Sequence, residues 1–264
     1  MHKAQYKIKF ITLLFLSVIF SANFISASEK NEVGINEKLG NFLPLEAEFT
    51  NSEGVKVKLS EIFTKPTLLA LVYYECPGIC SPLLTELGWV SNKVALVPGK
   101  DFQVVALSFD HHESYQVAAR WKENYIKGIK GNFPPDAWTF LTGDSLNIKM
   151  VTDAAGFNFK PSSDSNFVHA GALMAVSPKG KISRYIYGIQ YNPFDIKMAL
   201  LDAESGKTSP TVNKFLQYCF SYDPEGRNYT LNVTRIVGTI MLLGVGIFLS
   251  VLIFKKKKVN KELI

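Results

Sequence analysis

Cys76 and Cys80, in Tyr73-Tyr74-Glu75-Cys76-Pro77-Gly78-Ile79-Cys80, are the residues of this sequence best suited to chemistry. The chain has only three cysteines, so a pair four positions apart marks a site rather than the disulfide framework that small secreted domains need. The pair follows the apolar run Thr67–Tyr74, at the end of an expected buried strand. Two soft sulfur donors there suit a structural disulfide, a dithiol redox couple, or part of a thiolate metal site. Pro77 fits the first position of a helix, where its missing N–H costs nothing. Cys76 then lies near a helix N-terminus, whose free amides and positive dipole end favour a thiolate. If that turn is helical, Cys80 faces the same side.

The elements that must position the pair follow from periodicity. Val55–Leu59 alternates apolar and polar residues as a half-buried strand does. Thr67–Tyr74 is continuously apolar, as a strand covered on both faces is, and Phe102–Phe109 is a second buried strand, ended by Asp110. Helical spacing marks Pro82–Leu96, Ser114–Ile129, Ser145–Ala155 and Phe194–Ser205, and Trp138–Leu141 is a short strand. Gly171–Val176 and Lys181–Tyr187, around Ser177-Pro178-Lys179-Gly180, form a hairpin. Met150 and Met174 fall within these runs as core residues. Strands alternating with helices, closed by a hairpin, predict an α/β fold: a thioredoxin-like mixed sheet flanked by helices, with an N-terminal extension. In such a sheet the loop before the hairpin lies beside the cysteine turn, and that loop carries His169. An imidazole there completes a set of two sulfurs and one nitrogen. Soft thiolates favour Cu(I), with Cu(II) the alternative state, whereas Zn(II) wants a fourth ligand or water.

Both ends of the chain lie outside this domain. Residues 1–27 combine Lys3, Lys7 and Lys9 with the apolar run Phe10–Phe20 and a small-residue exit, as a signal peptide or an uncleaved anchor does. Residues 236–254 hold no charge and would span roughly 28 Å as a helix, near the thickness of a bilayer core. Lys255–Lys258 follow at once, so the positive-inside rule leaves the tail 255–264 in the cytoplasm. Residues 33–206 are then the soluble domain and 207–235 a stalk, on the extracytoplasmic or periplasmic side of the cell (inner) membrane. The net charge is +6, but the basic ends contribute +3 and +4 and the rest about −1, which argues against a nucleic-acid partner.

Three features together resemble the Sco/SenC family: Cys76-Pro77-Gly78-Ile79-Cys80 after an apolar strand, the strand end Val105-x-x-Ser108-Phe109-Asp110, and His169 ahead of Ser177-Pro178-Lys179-Gly180-Lys181. The resemblance runs from about Leu43 to Ile189. It implies a membrane-anchored, thioredoxin-like protein that handles copper for cytochrome c oxidase, with Cys76, Cys80 and His169 as copper ligands. Its partner would be the copper-receiving subunit of that oxidase or a related copper protein. The sequence departs from the family's usual pattern at Gly78, where an acidic residue is common, at His111, where proline is common, and in its C-terminal anchor.

Three functions compete. A Cu(I) metallochaperone needs Cys76, Cys80 and His169, with the cysteine pair also acting as a redox gate. A thiol-disulfide oxidoreductase needs only Cys76 and Cys80 as its catalytic redox pair, although such enzymes usually have two residues between the cysteines. A membrane-tethered assembly factor would keep the pair for structure alone. His111, His112 and Glu113 after Asp110 are metal-capable as a cluster, but a solvated loop with Asp110 or Ser114 capping the next helix is the favoured reading. Asp110 is also placed to support the cysteine loop. Cys219 is a free thiol, an intermolecular bridge or an extra soft ligand near the membrane. Asn228-Tyr229-Thr230 and Asn232-Val233-Thr234 match glycosylation acceptors.

Overall fold

A computed structural model describes residues 33–131, 133–163 and 166–210, with short stretches beyond them. The strands are β1 (Gly34–Ile35), β2 (Glu48–Asn51), β3 (Lys56–Lys58), β4 (Thr67–Val72), β5 (Gln103–Ser108), β6 (Trp138–Thr142), β7 (Phe157–Asn158), β8 (Lys160–Ser163), β9 (Asn166–Val168), β10 (Ala172–Val176) and β11 (Ile182–Tyr187). The helices are α1 (Leu59–Ile62), α2 (Cys80–Ser91), α3 (Tyr115–Gly128), α4 (Ser145–Ala155) and α5 (Pro193–Glu204).

Seven strands form the central sheet in the order β11-β10-β4-β5-β6-β2-β3. β4, β5 and β6 are parallel, and the other neighbours are antiparallel, so the sheet is mixed as expected. Every residue of β4 is buried, which is why its run is apolar without alternation. Successive residues of β11 face opposite sides. Arg184 reaches Asp202 on α5, while the Tyr185 hydroxyl donates to the Ala155 carbonyl at the end of α4. α4 and α5 therefore cover opposite faces. α2 packs against both α3 and α5, which gathers those three helices on one side.

Two features differ from expectation. α2 begins at Cys80 itself, so Pro77 is not its first residue, and Cys76 stands ahead of a bend at Pro77, Gly78 and Ile79 that leads into the helix. The Gly78 N–H turns onto the Cys76 sulfur, 3.3 Å away, and the helical ladder opens only at the Ile79 carbonyl, which accepts from the Leu83 N–H. Ser114 occupies the N-cap position of α3, but its hydroxyl makes no capping bond there.

The leader 1–27, Cys219, the tail 255–264 and most of the apolar stretch 236–254 lie outside the described residues. Among the described residues no helix is long and apolar enough to cross a membrane. Within the segment read as a stalk, Phe220–Asp223 pairs antiparallel with Asn228–Leu231.

Candidate metal centre

The sheet brings three loops to one edge. Val72 ends β4 opposite Ser108, the end of the parallel neighbour β5, so the cysteine loop and the segment 109–114 leave the sheet side by side. β10 runs antiparallel to β4 with Leu173 opposite Ala70, so the residues just before β10 lie at that same edge. This register carries His169 to Cys80 across a wide sequence separation. The His169 Nε2 lies 3.3 Å from the Cys80 Sγ.

Cys76, Cys80 and His169 each offer one donor atom, and the three atoms all lie within 4.8 Å of one another. Both thiols are free, with Cys80 buried and Cys76 half-buried. The His169 Nδ1 faces the Ala170 carbonyl at 3.0 Å. A carbonyl can only accept, so Nδ1 carries a proton, and in the neutral ring Nε2 turns a lone pair toward Cys80. The rings of Tyr73, Phe109 and Phe157 enclose this imidazole at centroid distances of 5.8, 5.1 and 6.1 Å. That apolar wall fixes the ring and limits the approach of further ligands.

The two sulfurs are unequal. A hydrogen bond from the Cys80 thiol holds Cys76 far below the usual thiol range, down to about 4. Partial burial opposes the shift, while the Tyr73 hydroxyl and the amides of Cys80 and Gly78 add to it. The same bond, reinforced by burial, pushes Cys80 upward, because it would have to ionise beside an existing thiolate. Burial and the bond to Cys76 raise Tyr73 to about 12, so its hydroxyl stays a donor. The Cys76 thiolate thus sits beside the protonated Cys80, where a soft cation could replace the thiol proton. Two sulfurs and one imidazole fit a low-coordinate Cu(I) site better than a closed four-ligand zinc site.

Two residues outside the donor set hold the cysteine loop. Glu113 is 8% exposed, and its carboxylate accepts from the Tyr74 amide at 2.9 Å, the Glu75 amide at 2.7 Å and the Ser108 hydroxyl at 2.6 Å. Burial raises its pKa against the pull of those three bonds. The loop support expected of Asp110 thus belongs to Glu113, because Asp110 spends its Oδ1 on the His112 amide, 2.9 Å away. Nor is Glu113 free to act as a metal ligand with its histidine neighbours. The buried Tyr74 sends its hydroxyl between β5 and β6, where it accepts from the Leu141 N–H at 3.0 Å and meets the Ala106 carbonyl at 2.9 Å. The sequence offered no local signal for Glu113, since the carboxylate next to the strand end is Asp110 and only the packed turn buries Glu113 among donors.

The SCO1/SenC family model matches residues 43–201. A SCO1 protein homolog from Bacillus subtilis (strain 168) is 24% identical over 154 residues, covering 56% of this chain and 75% of that protein. A crystal structure of a putative electron transfer protein from Aquifex aeolicus VF5 is 28% identical, with a TM-score of 0.57, over 64% of this chain and 95% of that one. The copper-bound crystal structure of Arabidopsis thaliana ScoI has a TM-score of 0.50 at 20% identity, covering 63% of this chain and 98% of that one.

Proposed function

The chain belongs to the SCO1/SenC family, and from that membership and its three-donor centre we propose that it is a membrane-anchored Cu(I) metallochaperone for the copper site of cytochrome c oxidase. Sco proteins are copper-binding assembly factors for that oxidase, and in this chain the cysteine pair with His169 can bind a metal. Copper here is cargo. The Cys76 thiolate offers the first bond, the Cys80 thiol yields its proton as the second forms, and the His169 Nε2 lone pair supplies the third. Cargo leaves by ligand exchange with the copper-receiving subunit of the oxidase or a related copper protein. Oxidation of Cys76 and Cys80 to a disulfide would remove two donors, so the pair also gates binding. The apolar stretch 236–254 with its trailing lysines supports an anchor in the cell membrane, with the domain on its extracytoplasmic or periplasmic side.

The observation that carries this reading is the convergence of three donor atoms, with the free lone pair of His169 directed at Cys80. The test is copper stoichiometry and X-ray absorption on the reduced full chain. Near-stoichiometric Cu(I) with two sulfurs and one nitrogen supports it. Unchanged binding in His169→Ala refutes the three-ligand site.

The inequality of the sulfurs favours a second reading, that of a thiol-disulfide oxidoreductase. The accessible Cys76 thiolate would attack a partner disulfide, and Cys80 would resolve the mixed disulfide. The partner would leave as a dithiol, reduced by two electrons, and this chain would become a disulfide. Partner reduction that survives His169→Ala would favour it.

A further inference from the structure

Between Phe109 and Glu113, both of which touch the cysteine or histidine loops, the chain makes a tight turn closed by the Glu113 N–H on the Asp110 carbonyl at 3.2 Å. This turn brings two consecutive side chains to one side, where an extended strand would point them apart. The rings of His111 and His112 lie with centroids 3.9 Å apart, and both residues are exposed. Asp110 beneath them is 8% exposed. One donor atom from each of the three residues lies within 4.8 Å of the others. Asp110 uses Oδ1 for the His112 amide, and no ion pair to its carboxylate occurs among the described residues. A divalent ion with bonds of about 2.1 Å needs donors roughly 3–4 Å apart, which rotation of two exposed imidazoles can reach.

We infer that Asp110, His111 and His112 form a second metal site, separate from the thiolates, that takes a late first-row divalent ion and holds Cu(II) most tightly. The chemistry of the donors sets this preference. Two imidazoles and a carboxylate are borderline-to-hard ligands that suit Cu(II), Ni(II) and Zn(II) and disfavour Cu(I). The two centres thus sort by softness: sulfur-rich at Cys76, Cys80 and His169, nitrogen and oxygen on the neighbouring turn. Solvent exposure leaves coordination positions for water, as an exchangeable site requires.

The test uses the full chain with Cys76, Cys80 and Cys219 changed to Ser and with His2→Ala and His169→Ala, which leaves His111 and His112 as its histidines. Electron paramagnetic resonance of added Cu(II) should show one ion with coupling to two imidazole nitrogens. Introducing His111→Ala with His112→Ala should abolish that signal. A signal that persists in this double variant, a single coupled nitrogen, or no Cu(II) retained on dialysis overturns the site. A parallel measurement avoids the background substitutions: reduced wild-type chain and His111→Ala with His112→Ala alone are titrated calorimetrically with Zn(II). Wild type should take up one equivalent more than the double variant, and equal uptake overturns the inference. The double variant removes exposed rings only, so its circular dichroism and melting temperature should match wild type.

Discussion

The strongest prediction concerns the ionisation of Cys76 and its dependence on Cys80. An ordinary thiol near pKa 9 is about 1% thiolate at pH 7, whereas a thiol held at about 4 is wholly ionised there. Ionisation alone would therefore speed alkylation about 100-fold. Nucleophilicity falls as pKa falls, with a Brønsted slope of about 0.4–0.5, so a drop of about five units costs roughly 100- to 300-fold. The two effects nearly cancel at pH 7, and the absolute rate is a poor readout. The pH profile is the decisive one. In the reduced full chain carrying Cys219→Ser, iodoacetamide labelling of Cys76, followed by mass spectrometry, should be flat from about pH 6 to 8 and decline only as pH falls toward about 4. Cys80→Ala removes the largest stabilising bond, so its profile should shift upward and regain slope near neutrality. A wild-type rate that climbs about tenfold per pH unit between 6 and 8 would refute the reasoning, because that is the slope of an unperturbed thiol below its pKa.

Further predictions follow from the same geometry. Glu113→Ala strands the buried Tyr74 amide, the part-buried Glu75 amide and the Ser108 hydroxyl, so it should cost about 2–3 kcal/mol in denaturant unfolding; Glu113→Gln, which retains one acceptor, should recover part of that. Gly156→Ala should cost at least about 2 kcal/mol, seen as a lower melting temperature, because Gly156 has φ +62° and an added Cβ would fall 1.9 Å from the Asn36 carbonyl oxygen. Cu(I) binding to the reduced chain near neutral pH should release about one proton, from Cys80, because Cys76 is already ionised; calorimetry in buffers of different ionisation enthalpy that gave two would count against a pre-ionised thiolate. The sign for stability agrees: lowering Cys76 favours the folded state above its unfolded value near 9, and this contribution fades as pH falls through about 4.

Much of the sheet was legible because burial and pleat impose patterns on sequence. The uninterrupted run at β4 announced a strand covered on both faces, and Pro178-Lys179-Gly180 announced the hairpin that returns beside it. The donor types were legible for the same local reason: two sulfurs after a strand and an imidazole before a hairpin are chemically conspicuous. The start of α2 was not, because Pro77 is compatible with a helix start and a bend alike, and only the ladder's first bond, from the Leu83 N–H to the Ile79 carbonyl, separates them.

By itself the sequence determined which side chains could bind a soft metal and, through the order of strands and helices, which loops would share an edge. Only the tertiary structure decided that the His169 lone pair meets Cys80, that the two sulfurs hold unequal charge, and that Glu113 rather than Asp110 braces the loop. Pattern is inherited from burial one residue at a time. Hydrogen-bond direction and shared protons depend on atoms distant in sequence, which only packing brings within about 3 Å of one another.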